Sequence, residues 1–412
     1  MTKHYPDAVL HRPVRHGDLF AGSLVAEDVV VIVDGIYHHR LALRHKEILD
    51  ALARGITVIG AASIGALRAA ELGSFGMIGV GRVYDWYRTG VFDGDDAVSV
   101  AHGDTGSPVG VNVPLVNLYR AVLAACEAGV LRQDEGRRLT TRWEREYYPL
   151  RTLERALSLA RDEGAARFAD WYGRQLACDP HVFDQKQADT LEACARAELL
   201  AARPGTERPV TDGGRDWRTE YHRRWRNRFA APADLHHRFA HQQIFDPRFP
   251  EVWWDFLRHT PGSGASGTSG LGPHVERHLG AAAARWAEEP ELRVRITALL
   301  CPLPDLADPR VAGLLLRRES AQDRIRVADW LERTRRHLDT HPERSLGQIE
   351  EAVCARLLAR IWDVPTGQEL RAECGRRGFP SLRRAADAFR PFAIGWLSDT
   401  RQAARSGGLS HV

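Results

Sequence analysis

The sequence predicts an α/β fold with an open, mostly parallel sheet in the N-terminal domain, followed by a mainly α-helical C-terminal half. Short β-branched runs alternate with helical spacing between residues 28 and 73, whereas helical spacing alone dominates after residue 114. The chain has 412 residues, of which 44% are hydrophobic, so it can bury a sizeable core.

The first elements follow one another with short joins. Residues 28–33, DVVVIV, form a continuous apolar run typical of a strand covered on both faces. Helical spacing follows at 42–54, a second buried strand at 56–60, and a second helix at 66–73 whose final glycine is a stop signal. This alternation predicts a βαβ unit with parallel strands. Residues 97–101, AVSVA, are expected to add a further strand.

Two segments rich in Pro, Gly and Ser, at 202–215 and 261–272, interrupt the helical spacing. They predict three regions along the chain. Residues 1–200 form the α/β domain with trailing helices, residues 216–260 form a helical segment rich in aromatic residues and Arg, and residues 274–412 form a helical domain.

Composition excludes several classes of function. The net charge is only +3 although 27% of residues are charged, so no overall field selects nucleic acid as a partner. The aromatic and Arg residues of 217–229 have helical spacing, which favours a packed helix over a nucleic-acid surface. The first residues lack the apolar core of a signal peptide, and no apolar run approaches the ~20 residues that span a bilayer. We expect a cytoplasmic protein without a membrane partner.

Metal and cofactor motifs are also missing from the sequence. The six cysteines form no CxxC pair, which argues against disulfides and a structural zinc site. The segment GMIGVGRVY has the wrong spacing and context for a dinucleotide fingerprint, and there is no phosphate-binding G-x-x-x-x-G-K-[ST]. We therefore expect neither a bound metal nor a cofactor.

Ser63 lies where the second strand becomes the second helix, in GAASIGALRAAELG. The sequence is one glycine short of the G-x-S-x-G turn that presents a nucleophile. The small residues Gly60, Ala62 and Gly65 allow a tight turn, and the amides that open the helix can stabilise an oxyanion or bind an anion. Three interpretations stay open: a covalent nucleophile, an anion-binding residue, or a helix N-cap.

A nucleophilic serine needs a base. Asp34 and His38 follow the first strand, and His102 follows AVSVA, so all three are expected at the carboxyl edge of the sheet. The oxyanion would be held by the amides around Ile64 and Gly65. Each of these histidines also has an ordinary surface interpretation.

Two further groups are candidate binding residues. His45, Lys46 and Glu47 open the first helix, and Arg68 and Glu71 lie three residues apart on the second. An i,i+3 Arg–Glu pair is more often a salt bridge of small value than a site, and both interpretations stay open.

Five motifs occur in order between residues 33 and 102: VDGIYH, HKEILDAL, GAASIGALRAAEL, FGMIGVG and DDAVSVAH. Together they resemble the TfuA-like family, and a weaker likeness continues through YYPLRT and FDQKQADTLEA, over about the first half of the chain. Relatives usually begin with a further strand and a G-P-S-like turn, so we expect a shortened N-terminal segment here.

The resemblance implies a role beside a YcaO-type enzyme, which uses ATP to activate backbone amides of ribosomally made peptides. It also implies thioamide formation, with sulfur released from a ubiquitin-like sulfur carrier that ends in a thiocarboxylate. The protein would meet the precursor peptide through its complex with the YcaO enzyme. Ser63 would then be the nucleophile of a thiocarboxylate hydrolase. The alternatives are a non-catalytic docking or activating subunit of the YcaO enzyme, and an unrelated serine hydrolase.

Overall fold

The structure is a computed structural model that describes residues 5, 8–20, 23–36, 41–101, 111–202, 217–259 and 301–407. The chain divides into two compact units, Met1–Gly213 and Gly214–Val412. Among the residues just given, no helix is long and apolar enough to cross a membrane.

A small parallel sheet lies in the first unit. Its strands are β1 (Val29–Ile32), β2 (Thr57–Gly60) and β3 (Ile78–Gly79), in the order β1-β2-β3. Val29 pairs with Thr57 and Ile59 pairs with Ile78, so both neighbouring pairs run parallel. The predicted parallel α/β architecture is confirmed.

Eight helices accompany this sheet in the described part of the first unit. They are α1 (His45–Ala53), α2 (Ile64–Leu72), α3 (Arg82–Arg88), α4 (Leu115–Glu127), α5 (Gln133–Glu144), α6 (Leu153–Asp162), α7 (Ala166–Cys178) and α8 (Gln185–Ala201). Short 3-10 turns cover Asp18–Phe20, Gly73–Phe75, Asp95–Ala97 and Tyr148–Leu150. Helix α2 ends at the predicted glycine stop.

The predicted strand at 97–101 is wrong. The stretch begins with the last residue of a 3-10 turn, and several of its backbone groups then bond to side chains, while the Ala101 carbonyl accepts from the Val111 amide. The Ala101 amide donates to Asn112 Oδ1 at 2.7 Å, and the Val98 carbonyl accepts from Lys186 Nζ at 2.9 Å. The third strand is instead the two-residue β3, inside the glycine-rich GMIGVG segment.

Helix α8 covers the sheet. Ala193 and Leu200 pack with Ile59, Ala61 and Ala62 in one buried cluster. A larger core joins α3 to α7 through aromatic side chains, including Trp143 and the stacked pair of Phe168 and Tyr172. The residues around the end of β2 are therefore backed by a buried apolar layer that α8 contributes.

The second unit is helical throughout its described residues, which confirms the predicted helical C-terminal half. Its helices are α9 (Glu220–Phe229), α10 (Leu235–Phe245), α11 (Phe249–His259), α12 (Pro309–Leu315), α13 (Ala321–Thr340), α14 (Glu351–Trp362), α15 (Gln368–Arg376) and α16 (Leu382–Gly407), with a 3-10 turn at Leu346–Gln348. Helix α10 packs with α13, α14 and α16 in one core. The predicted Gly/Ser linker at 261–272 lies outside the described residues, and the boundaries at 260 and 274 stay a prediction.

Candidate functional site

The turn between β2 and α2 is tight and strained. Ala62 has a φ of 66°, and the Ser63 amide donates to the Ala61 carbonyl at 2.7 Å, which closes a γ-turn around Ala62. A γ-turn with positive φ is rare, and an L-residue in this region costs free energy that the surrounding fold must supply. The strain falls on the residue before the serine, whereas a G-x-S-x-G elbow strains the turn at the serine itself.

Two glycines allow the backbone at the start of α2 to contact the backbone of the strands directly. A Cβ on Gly65 would lie 1.7 Å from the carbonyl oxygen of Ile32, and a Cβ on Gly60 would lie 2.1 Å from the carbonyl oxygen of Gly65. Neither distance is possible for a real side chain. The spacing of these glycines therefore fixes the start of α2 by contact between backbones.

Ser63 occupies the N-cap position of α2, but its hydroxyl makes no capping hydrogen bond. The residue is 0% exposed, and Oγ has no hydrogen-bond partner among the described residues. An unpaired buried hydroxyl costs about 1–3 kcal/mol, so a fold keeps one only where something offsets that cost. Among the described side chains at the carboxyl edge of the sheet, Ser63 is the buried one whose polar atom has no hydrogen-bond partner.

The two expected oxyanion donors differ. The Gly65 amide points at the Val33 carbonyl, with a long separation of 3.4 Å. The Ile64 amide has no partner within the part of the chain that the structure describes. Counted over the described residues, the start of α2 thus offers one unengaged amide, from Ile64, and one weakly engaged amide, from Gly65.

Asp34 lies at the carboxyl end of β1, as predicted. Its Oδ1 accepts from the Gly35 amide at 3.0 Å, and its carbonyl accepts from the Val14 amide. His38 and His102, the two candidate bases, lie outside the described residues, so their pairing with Ser63 stays a prediction.

Three predicted binding residues meet in one cluster between α1 and α2. Glu71 Oε2 lies 2.7 Å from His45 Nε2 and 2.5 Å from Arg68 Nη1. Burial raises the pKa of the Glu71 carboxyl, but the hydrogen bonds from His45 and Arg68 outweigh it and hold that pKa below its usual value. Lys46, beside this cluster in sequence, is half-buried. Within the described ranges, no group of three or more His, Cys, Asp and Glu side chains is arranged to hold a metal ion.

Glu47, another predicted binding residue, is fully buried and engaged within the protein. One carboxylate oxygen lies 2.6 Å from His16 Nδ1 and accepts from the Arg44 amide, and the other accepts from the Gly17 amide at 2.7 Å. Burial raises the pKa of this carboxyl, although its hydrogen bonds act against the rise. These contacts join the segment before β1 to the first turn of α1.

The strand, turn and helix around Ser63 lie in the same continuous stretch of sequence as the five motifs. Residues 34–152 match the TfuA-like protein family. We call these residues the TfuA-like segment, because they are similar to that family. The match confirms the resemblance over these residues and supports, at the level of the family, a link to YcaO-dependent thioamide systems. Curated proteins give no match to the chain.

The end of the TfuA-like segment is attached to its own interior. The guanidinium of Arg151, which is buried, pairs with the Asp96 carboxylate and also donates to the Glu146 carbonyl at 3.1 Å. Asn112 bonds the carbonyls of Ser99 and Tyr148. The residues that precede His102 are therefore held firmly by the far end of the same segment.

Sequence reasoning missed two charged residues on α8, which lies after the TfuA-like segment. Asp189 is buried and accepts hydrogen bonds from the amides of Arg82 and Val83 at the start of α3. Lys186 donates to the Val98 carbonyl at 2.9 Å. Burial lowers the pKa of the Lys186 ammonium, and the charges of Asp34 and Asp184 oppose that decrease.

A signal for these two residues does exist in the sequence. Positions 186, 189, 193 and 197 are spaced by three or four residues, so they share one face of α8 with the alanines that cover the sheet. A lysine and an aspartate on a face that is otherwise apolar indicate buried charges with a specific task.

Proposed function

We propose that this protein releases sulfide from the C-terminal thiocarboxylate of a ubiquitin-like sulfur carrier and works beside a YcaO-type enzyme that installs thioamides in a ribosomally made peptide. The observation that carries this proposal is the buried Ser63 hydroxyl, which has no partner among the described residues and follows the strained Ala62. The TfuA-like match supports the thioamide setting at the family level.

The chemistry requires two steps. Ser63 Oγ attacks the carbonyl carbon of the thiocarboxylate while a base, His38 or His102, takes the hydroxyl proton. The C–S bond breaks, and the sulfur takes the proton from the base and departs as hydrosulfide. The carrier remains bound to Ser63 as an ester. Water then hydrolyses this ester, which restores Ser63 and leaves the carrier with a carboxylate. The Ile64 amide at the start of α2 supports the proposal because a backbone N–H there can stabilise the oxyanion of both steps.

The test is sulfide release by Ser63→Ala. Removing a nucleophile commonly costs several orders of magnitude in rate, so we expect no release above the uncatalysed background. Sulfide would be measured directly, and mass spectrometry of the carrier would follow the exchange of sulfur for oxygen. Ser63→Cys is expected to retain some activity or to accumulate an acyl intermediate.

Ser74→Ala is the matched control, because Ser74 is an exposed serine just beyond α2. It should release sulfide at the wild-type rate. Full sulfide release by Ser63→Ala would overturn the assignment of Ser63 as the nucleophile.

The complete burial of Ser63 favours a second candidate function, in which the protein docks on and activates the YcaO enzyme without hydrolysing the carrier. A substrate must reach Oγ, and because Ser63 is 0% exposed, hydrolysis requires that the protein around it opens first. Supplying free sulfide to the YcaO reaction separates the two functions. Under that condition a docking subunit still stimulates thioamide formation, whereas a sulfide-releasing enzyme becomes dispensable.

A further inference from the structure

The first turns of α8 lie at the carboxyl edge of the sheet. Asp189 accepts from backbone amides at the start of α3, which follows β3 after a short loop. Lys186 donates to the Val98 carbonyl and lies close enough to Asp34, after β1, for their charges to interact. Farther along α8, Ala193 and Leu200 pack on the sheet itself. Because β2 lies between β1 and β3, the turn that carries Ser63 opens onto the same edge.

Lys186 has more hydrogen-bond donors at this edge than the described residues use. An ammonium carries three donors, and the described residues use one of them, in the hydrogen bond to the Val98 carbonyl. Asp184, one of the two nearby carboxylates, is itself engaged as the cap of α8, where its Oδ1 accepts from the Gln187 amide and from Asn117 Nδ2. Two donors of the ammonium therefore have no hydrogen-bond partner among the described residues, although the charges of Asp34 and Asp184 lie close enough to interact with it.

Lysine itself is rare in this chain. Only Lys3, Lys46 and Lys186 occur among 57 Lys and Arg residues, so arginine is the default cation of the protein. A guanidinium is planar and broad, whereas an ammonium is a compact point charge that fits beside a small anion. A lysine in a half-buried position of an arginine-rich chain points to a local need for that compact charge.

We propose that Lys186 binds the anionic C-terminal group of the sulfur carrier and places it beside Ser63. This inference rests on the proposed function. A thiocarboxylate loses its hydration when it enters a site as buried as that of Ser63, and burying an anion is costly unless an opposite charge meets it. The N-terminus of α2 contributes only a partial positive charge, and the Lys186 ammonium adds a full one, part of which the nearby Asp34 and Asp184 carboxylates offset.

The experiment measures binding without turnover. Ser63→Ala protein is titrated with three forms of one ubiquitin-like carrier, which end in a thiocarboxylate, a carboxylate or a neutral amide. We expect the two anionic forms to bind about tenfold more tightly than the amide. Adding Lys186→Met should bring all three forms to the affinity of the amide, whereas adding Lys186→Arg should keep only part of the preference for anions, because the charge remains but the broader guanidinium fits the site less well.

Arg196→Met is the control for a general loss of positive charge, because Arg196 lies on the same helix. It should keep the anion preference. The inference is overturned if Lys186→Met still prefers the anionic carriers, or if the Ser63→Ala parent shows no preference at all.

A second measurement needs no change at Lys186. Because the chain has three lysines, an amine-acylating reagent gives three side-chain products that mass spectrometry resolves. The carboxylate-terminated carrier, which does not consume the reagent as a thiocarboxylate would, should protect Lys186 from acylation, and the amidated carrier should not. Equal labelling in both samples would overturn the inference even if Lys186→Met failed to fold.

The two proposals fail in distinguishable ways. If Ser63→Ala releases sulfide normally, the nucleophile is wrong, but the charge preference at Lys186 is still measured by binding. If Ser63→Ala abolishes release while Lys186 shows neither anion preference nor protection, the nucleophile holds and the anion site is wrong.

Discussion

The carboxylate of Asp189 on α8 accepts a hydrogen bond from the backbone amide of Val83 on α3, with 2.7 Å between oxygen and nitrogen. The neighbouring Arg82 amide bonds the other carboxylate oxygen at 3.0 Å. The N-cap position of α3 is Gly81, which has no side chain to cap the helix, so a residue more than a hundred positions later supplies the cap. This contact attaches α8 to the edge of the sheet and positions Lys186.

Asp189→Asn should lower the free energy of unfolding by about 1–3 kcal/mol, because an amide offers one acceptor oxygen where the carboxylate offers two. Urea unfolding would measure the change. Glu198→Gln, an exposed position on the same helix, should change stability by less than about 0.5 kcal/mol. Equal stability of the two variants would contradict the capping role of Asp189.

Ser63→Ala should raise the free energy of unfolding by about 1–3 kcal/mol, because it removes a buried hydroxyl that has no hydrogen-bond partner among the described residues. Thr152→Ala gives the contrast. Thr152 caps α6 by accepting from the Arg155 amide at 3.2 Å, and losing such a cap costs about 1 kcal/mol. A loss at Ser63 as large as that at Thr152, seen by thermal or urea unfolding, would favour the cap interpretation of Ser63.

Gly65→Ala should destabilise the first unit by about 3 kcal/mol or more, because the new methyl group collides with the Ile32 carbonyl and neither backbone can move freely. Gly173→Ala should have the opposite sign. Gly173 lies within α7 with no atom within 4 Å of an added Cβ, so alanine should stabilise by about 0.5–1 kcal/mol. Comparable unfolding midpoints for the two variants would show that the close approach of α2 to β1 is not required.

His241 makes the second unit sensitive to acid. The residue is 1% exposed, its ring lies 4.9 Å from Phe245 and 5.7 Å from Trp330, and burial lowers its pKa to about 4. An unfolded histidine titrates near about 6.5, so between these values the unfolded chain binds a proton that the folded chain does not. The free energy of unfolding should therefore decrease by about 3 kcal/mol as pH falls from about 6.5 to below 4.

His241→Phe should remove this part of the pH dependence, measured by urea unfolding at pH 7, 5 and 4. His236→Phe, at an exposed position of the same helix, should keep it. If His241→Phe and the wild type lose stability in parallel as the pH falls, the buried histidine is not responsible.

Strands β1 and β2 were predicted well from the sequence, because the apolar runs and turn residues that indicate them are local. The runs DVVVIV and ITVIG became β1 and β2, and the glycine stop ended α2 as expected. Periodicity and turn residues act over a few positions, so a single sequence carries them completely. The position of Ser63 at a strand-to-helix turn was predicted on the same basis.

The parts that sequence reasoning missed depend on distant contacts. Strand β3 has two residues, too few for any periodicity, and the stretch at 97–101 fails to pair because Asn112 and Lys186 take its backbone groups. Lys186 and Asp189 come more than 120 residues after Ser63, and no local spacing rule brings α8 to the sheet edge. The match over residues 34–152 also ends before them.

The contact between Gly65 and Ile32 joins main chain to main chain, so it places no demand on which side chains surround it. The distance between β1 and the start of α2 is therefore set by the two backbones, whichever side chains lie nearby. Two glycines five positions apart, flanking a serine after an apolar run, are thus a pattern by which the same close approach can be sought in other sequences. Redesign of the first unit would have to leave both positions without side chains.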